Sequence, residues 1–283
     1  MVQGARSNDE LKISHPEPLK QQLNFLRWGI LLHVLPWTGL FCGAKWAVHC
    51  LGWEIWQFDL MTGSLFGAAT FVIAFILSGT LADYRASEDM VAQLASAIES
   101  IQDTALLVAS GHPEYDPAPL SQGLQQLGQA ILTSLQNSDS LDPPMEALTQ
   151  LNQPFSQIEP HTSGPIISRI QGEQSKMRLL LMRIQVIRDT EFLMPADILL
   201  RIFLVGSILA LLLTDGDPLS KALVVSAFLF TSFVYLVRLI RDLDNPFQYD
   251  GHSCIDVELL PLQSALDRMK VNLDDPTKRI LNK

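Results

Sequence analysis

The sequence predicts an all-α membrane protein: four transmembrane helices, with a helical region inserted between the second and the third. Three observations carry this. Apolar residues concentrate in four runs, near 26–46, 60–82, 198–214 and 219–240. Lysine and arginine fall almost wholly on one side of those runs. The long stretch between the second and third runs shows helical periodicity and no strand pattern. The expected organisation is an N-terminal cytoplasmic segment over 1–24, spans one and two over 25–83, a cytoplasmic helical insert over 84–196, spans three and four over 197–241, and a cytoplasmic C-terminal tail over 242–283.

Crossing the hydrocarbon of a bilayer takes roughly 20 apolar residues in a helix. Span two meets this most plainly, with no charge between Asp59 and Asp83. Span one is uncharged from Trp28 to Ala44 and contains Pro36, where a kink is expected and which a membrane helix tolerates. Spans three and four are shorter, with Arg201 and Lys221 near their ends, where long basic side chains can reach an interface. Residues 214–218, Thr-Asp-Gly-Asp-Pro, break the chain between them and predict a helical hairpin. A soluble core helix would show an apolar stripe beside a polar face. Residues 60–82 show neither, being apolar or small on every side.

With the N-terminus inside, all of the 20 lysines and arginines except Lys45 and Lys221 lie on the cytoplasmic side. That asymmetry sets the orientation and places both termini in the cytoplasm. Trp46, Trp53 and Trp56 crowd the first outer loop, as interfacial aromatic residues do.

In the insert, Leu94, Ile98, Ile101, Ala105 and Val108 recur at steps of four and three and predict a helix over 86–109. No proline or glycine separates Leu81 from Ser110, so this helix can continue directly from span two. Residues 111–119, rich in glycine and proline, end it. Leu120, Leu124, Leu127, Ile131 and Leu135 mark a second helix. Met145, Leu148, Leu151, Phe155 and Ile158 mark a third, opened by Asp142-Pro143-Pro144. A fourth is expected from about Pro165 to Phe192, before Met194-Pro195 turns the chain into span three.

The chemistry of catalysis is missing. The six histidines show no metal-ligand spacing on a helix, and neither a phosphate-binding glycine loop nor a nucleophile elbow occurs. No enzymatic activity, cofactor or metal is expected. Cys42, Cys50 and Cys254 fit no zinc or redox motif, although a Cys42–Cys50 disulfide is conceivable. The net charge of −10, without a basic cluster, excludes nucleic acid as a partner. His33 lies inside span one, where a neutral ring bonded across a helix interface is the plainest expectation and a functional role the sharper one. Glu88, Glu99 and Asp103 read as a solvated helix face.

Span two carries the clearest pattern. Gly63, Gly67, Thr70, Ala74 and Ser78 form a small, weakly polar stripe flanked by Phe71 and Phe75. Such a stripe lets helices approach closely, or lines a narrow pore. Both readings stand at this point.

Two segments carry a family resemblance. Residues 75–88 read Phe-Ile-Leu-Ser-Gly-Thr-Leu-Ala-Asp-Tyr-Arg-Ala-Ser-Glu, and residues 242–250 read Asp-Leu-Asp-Asn-Pro-Phe-Gln-Tyr-Asp. The chain resembles the bestrophin superfamily, in particular its divergent bacterial branch. Tyr84 and Glu88 correspond to a tyrosine and glutamate that follow span two in the family. Asp244, Asn245, Pro246, Phe247 and Asp250 correspond to its acidic-Asp-Pro-Phe motif and following aspartate. Arg85, Ala86 and Ser87 stand where the family has an arginine and paired aromatic residues. The calcium-binding acidic cluster of animal bestrophins is thinned to Asp242, Asp244, Asp250 and Asp256, short of the six to eight oxygens calcium takes, so calcium control is not expected.

The resemblance implies a homopentamer in a bilayer, in the bacterial inner membrane, with span two around a central axis. It implies conduction of small inorganic ions, anions such as chloride among them, past Thr70, Phe71, Ala74 and Ser78. A non-conducting membrane protein whose acidic insert binds a partner is the alternative.

Overall fold

The computed structural model describes residues 17–190, 194–216, 218–249 and 255–274, with side chains from Gly29 to Lys270 within those stretches. Its described residues form α-helices, a short 3₁₀ turn and one isolated bridge between Trp56 and Thr214. The helices divide into an apolar bundle and a polar head, and one long helix belongs to both.

The bundle consists of α1 (Glu17–Cys50), the first half of α2 (Leu60–Gly111), α7 (Met194–Leu213) and α8 (Leu219–Asp244). α1 continues through Pro36. Asp59 starts α2: its carboxylate accepts from the Thr62 backbone N–H and hydroxyl, both at 2.8 Å, satisfying a donor that a helix start leaves unpaired. The bundle core is aromatic. Phe41 of α1 stacks on Phe230 of α8 at a centroid distance of 4.4 Å, and Phe66 of α2 lies 6.3 Å from Phe233. At the base, Asp197 of α7 accepts from Arg201 one turn on and from Arg241 of α8.

Among the described residues, three helices, α2, α7 and α8, are long and apolar enough to cross a membrane. α1 lies along α8, joined to it by the 2.8 Å hydrogen bond between the Thr38 and Thr231 hydroxyls, but His33, Pro36 and several small residues dilute its apolar character.

The opposite end of the bundle has an ionic centre. Lys45, expected at an outer interface, is wholly buried. Its ammonium donates to the Leu212 carbonyl at 3.2 Å and to the Thr214 carbonyl, and pairs with Glu54 at 2.9 Å. Those carbonyls belong to the end of α7, which needs donors, and a lysine there also meets the negative pole of the helix. Cys42 and Cys50 are free, so the conceivable disulfide between them does not form; Cys254 lies outside the described residues.

The head contains the second half of α2, then α3 (Ala118–Gln136), α4 (Asp142–Gln150), α5 (Asn152–Ile158), the 3₁₀ turn Glu159–His161, α6 (Gly164–Asp189) and α9 (Leu260–Asp274). The periodic leucines expected to face inward do so: Leu94, Ile98, Leu120, Leu124, Leu127, Ile131 and Leu135 are fully buried in one core. Two expectations need correction. The third insert helix is broken at Leu151 into α4 and α5. Pro154 has no N–H to offer the Gln150 carbonyl, and its ring crowds that carbonyl. Near the break, the Leu148 carbonyl accepts from the buried Gln174 amide of α6 at 2.8 Å. The fourth helix ends at Asp189, with Phe192 outside the described residues.

The C-terminal segment, read from the sequence as a tail, includes α9, which docks into the head through Leu262, Ala265, Leu266 and Met269. Gly128 of α3 makes this possible, since a Cβ there would overlap Leu266. Glu99, expected on a solvated face, accepts from Arg268 of α9 at 2.7 Å.

Candidate pore face and the joint at its base

α2 runs unbroken for 52 residues, about 78 Å at the helical rise. Its bundle half buries Phe66, Ala69, Ile73 and Thr80 against its own chain. The stripe lies on another face. Thr70, Phe71, Ala74 and Ser78 are all exposed, Phe71 by 72%. A Cβ added at Gly63 or Gly67 would meet nothing within 4 Å. Among the described residues the glycines therefore bring no helix of the same chain close, so close helix approach through this stripe would have to involve another chain, and that reading and pore lining both stand. The Thr70 hydroxyl donates to the Phe66 carbonyl at 2.8 Å, so its polarity is turned back on its own helix. The face that remains is uncharged, narrow-shouldered and rimmed by the Phe71 and Phe75 rings.

His33 does not bridge helices. Its Nδ1 lies 2.9 Å from the Gly29 carbonyl of the same helix, and its ring is exposed.

About 21 Å further along α2 lies a joint between bundle and head. Phe247 is fully buried in the head core, and the Val257 N–H donates to the Pro246 carbonyl at 2.9 Å, folding the chain back after α8. Tyr249 holds the fold-back closed by donating its hydroxyl to the Val257 carbonyl at 2.6 Å. Tyr249 itself has a φ of 42°, a left-handed conformation uncommon outside glycine. Tyr84 packs against the same core. Burial, the neighbouring Glu88 carboxylate with which it is hydrogen-bonded, and the charges of Glu258 and Asp256 push the Tyr84 phenol up to about 12. Burial, Asp256 and Tyr84 push Tyr249 up as well. Asp244 is half-buried beside Asp83 and Asp197, and burial followed by those charges raises its carboxyl to about 6. It lines a cleft of about 280 Å³ with Thr80, Asp83 and Pro246.

The structure thus gathers Tyr84, Glu88, Asp244, Pro246 and Phe247 at one joint, while Thr70, Phe71, Ala74 and Ser78 form a separate face higher on α2. Asp250 lies outside the described residues. Tyr249 and Glu258 were missed by sequence reasoning. Tyr249 sits inside the second recognised segment, two residues after Phe247, and was within reach; Glu258 is placed only by the fold-back.

No family model matches the chain, and no curated protein matches it by sequence. Solved structures do. A crystal structure of a membrane protein superposes with a TM-score of 0.71 at 14% identity, covering 86% of this chain and 97% of that one. Two variants of a bacterial bestrophin homologue from Klebsiella pneumoniae superpose with TM-scores of 0.65 and 0.63 at 15% identity, each covering 89% of this chain and 98% of theirs. The chain has a bestrophin-like fold. The expectation drawn from residues 75–88 and 242–250 holds at the level of architecture. Among the described residues, three helices of spanning length and apolarity, together with the bestrophin-like fold, support an integral membrane protein.

Proposed function

We propose that this protein is one subunit of a bestrophin-like ion channel. Four spans cross the bilayer, with both termini in the cytoplasm. Five subunits surround an axis lined by Thr70, Phe71, Ala74 and Ser78, and the channel conducts small anions. The observation that carries the proposal is the uncharged face of α2, exposed along its apolar half although the chain has its own bundle core against which to bury it. Such a face needs lipid, another subunit or a pore. Without a charged ring, selectivity would rest on pore width and on dewetting at Phe71 and Phe75.

Self-association has its own support in the head. Leu179, Met182 and Val186 of α6 and Leu107 of α2 are exposed large apolar side chains. In the proposed topology no bilayer reaches them, so a neighbouring subunit would cover them.

Purified protein in planar bilayers should give unitary currents, and Phe71→Ala should raise their conductance by widening the constriction. No unitary current at any voltage, pH or salt would overturn the proposal. So would a detergent-corrected mass of one or two subunits.

A further inference from the structure

Sequence spacing offers no metal motif, yet the fold brings three donor side chains together at the far end of the head. His112 caps the C-terminus of α2, its backbone N–H donating to the Val108 carbonyl at 2.9 Å. Glu114 follows two residues later, in a turn closed by the Tyr115 N–H donating to the His112 carbonyl at 3.0 Å. His161 ends the 3₁₀ turn that precedes α6. One ligand atom from each of the three lies within 4.8 Å of the other two.

Without a metal, Glu114 Oε1 is hydrogen-bonded to His112 Nδ1 at 3.2 Å and lies 3.5 Å from His161 Nδ1. Two donors on one tetrahedral zinc, each about 2.1 Å from the metal, stand about 3.4 Å apart. One carboxylate oxygen faces both rings at that spacing.

The loops that carry the ligands are held. Pro113 lies between His112 and Glu114, Pro160 immediately precedes His161, and each fixes a backbone angle. The Tyr115 ring is buried and packs against the His161 ring at 5.8 Å. Asp116 accepts from the Ala118 N–H at 3.0 Å, anchoring the other end of the loop to α3.

We propose that His112, Glu114 and His161 bind a divalent first-row transition metal of the zinc class, tying the end of α2 to the loop before α6. Two imidazoles and a carboxylate suit zinc, whereas calcium and magnesium demand oxygen ligands. The site is open to solvent on one side, so the metal enters directly and keeps water in its remaining position. It joins segments 47 residues apart in sequence at Glu114 and His161. Occupancy would therefore stiffen the head at the tip of the helix that also crosses the membrane.

The test uses the full chain without a histidine tag, purified in detergent and stripped with a chelator. Titration calorimetry with zinc should show one ion per chain, and zinc should raise the melting temperature of the wild-type protein. Calcium at the same concentrations should do neither. His161→Ala should weaken zinc binding by more than about tenfold. Glu114→Gln, which keeps shape and removes charge, should weaken it in the same direction and guards against a folding defect in the first variant. The proposal is overturned if the wild-type chain binds no zinc, or if both variants bind it as tightly as wild type.

Discussion

The two halves of α2 share one continuous backbone and face opposite demands. From Leu60 to Asp83 the helix buries four side chains, Phe66, Ala69, Ile73 and Thr80. From Tyr84 to Gly111 it buries eleven, most of them on the 3–4 spacing that faces α3, α6 and α9. The first half leaves Phe71 and Phe75 uncovered, while the second covers Leu94, Ile98 and Ile101 completely. Water drives the head to close its own core, because each buried aliphatic side chain gains about 1.5–3 kcal/mol from leaving water. That drive is absent between helices already in lipid, so the first half can keep an apolar face for something outside the chain. The contrast teaches that exposure must be read against its solvent: Phe71 belongs to an assembly or a bilayer, and Ile98 to the fold.

Four substitutions would break or sharpen this contrast. The largest effect is expected at the bundle's own exception, its buried charge. Lys45→Ala leaves Glu54 with His49, 2.8 Å away, as its remaining partner and strips a donor from two carbonyls at the end of α7, and should destabilise the protein by about 3 kcal/mol in thermal unfolding in detergent. A cost below about 1 kcal/mol would mean that solvent already reaches this centre. Next comes a pair on the same helix. Ile98→Ala should cost about 2–5 kcal/mol through the cavity it leaves, whereas Phe71→Ala should cost less than about 1 kcal/mol of single-chain stability. Equal losses would erase the distinction between the halves.

The smallest effect lies at the joint. The Asp244 carboxyl is raised in the folded state to about 6 from an ordinary 3.8, so the fold prefers it protonated. Its contribution is fully present below about pH 4 and lost as pH rises through 6. Asp244→Asn should therefore flatten stability across that window and add about 1 kcal/mol at pH 7, the figure reduced for the group's partial exposure. Melting temperatures measured from pH 4 to pH 7 check it; an unchanged slope would show that Asp244 is not the titrating group.

Much of the architecture was readable because periodicity reports which face of a helix is covered. The continuity of α2 followed from the absence of proline and glycine between Leu81 and Ser110. The break between α4 and α5 was marked by Pro154 but masked by the apolar pattern, because the turn at Leu151 keeps Leu148, Leu151, Phe155 and Ile158 in register on the buried side. Apolar spacing alone cannot distinguish that turn from a continuing helix. The docking of α9 depends on the space that Gly128 leaves for Leu266, a tertiary fact. The stripe on α2 was legible as a pattern, but its occupant was not, since that depends on molecules outside the chain. The approach of His112 and Glu114 to His161 is set by how α5 and the 3₁₀ turn return beneath α3, and no short-range motif encodes it.

The unbroken course of α2 has a mechanical consequence. From Tyr84 to Gly111 the helix extends about 40 Å. A pivot of about 5° at the joint would sweep its far tip through about 3.5 Å, while Thr70, about 21 Å the other way, would move by about 1.8 Å. With a pivot at Tyr84 the helix would be a lever with unequal arms, and a small force applied at the tip of the head would work with mechanical advantage on the apolar face.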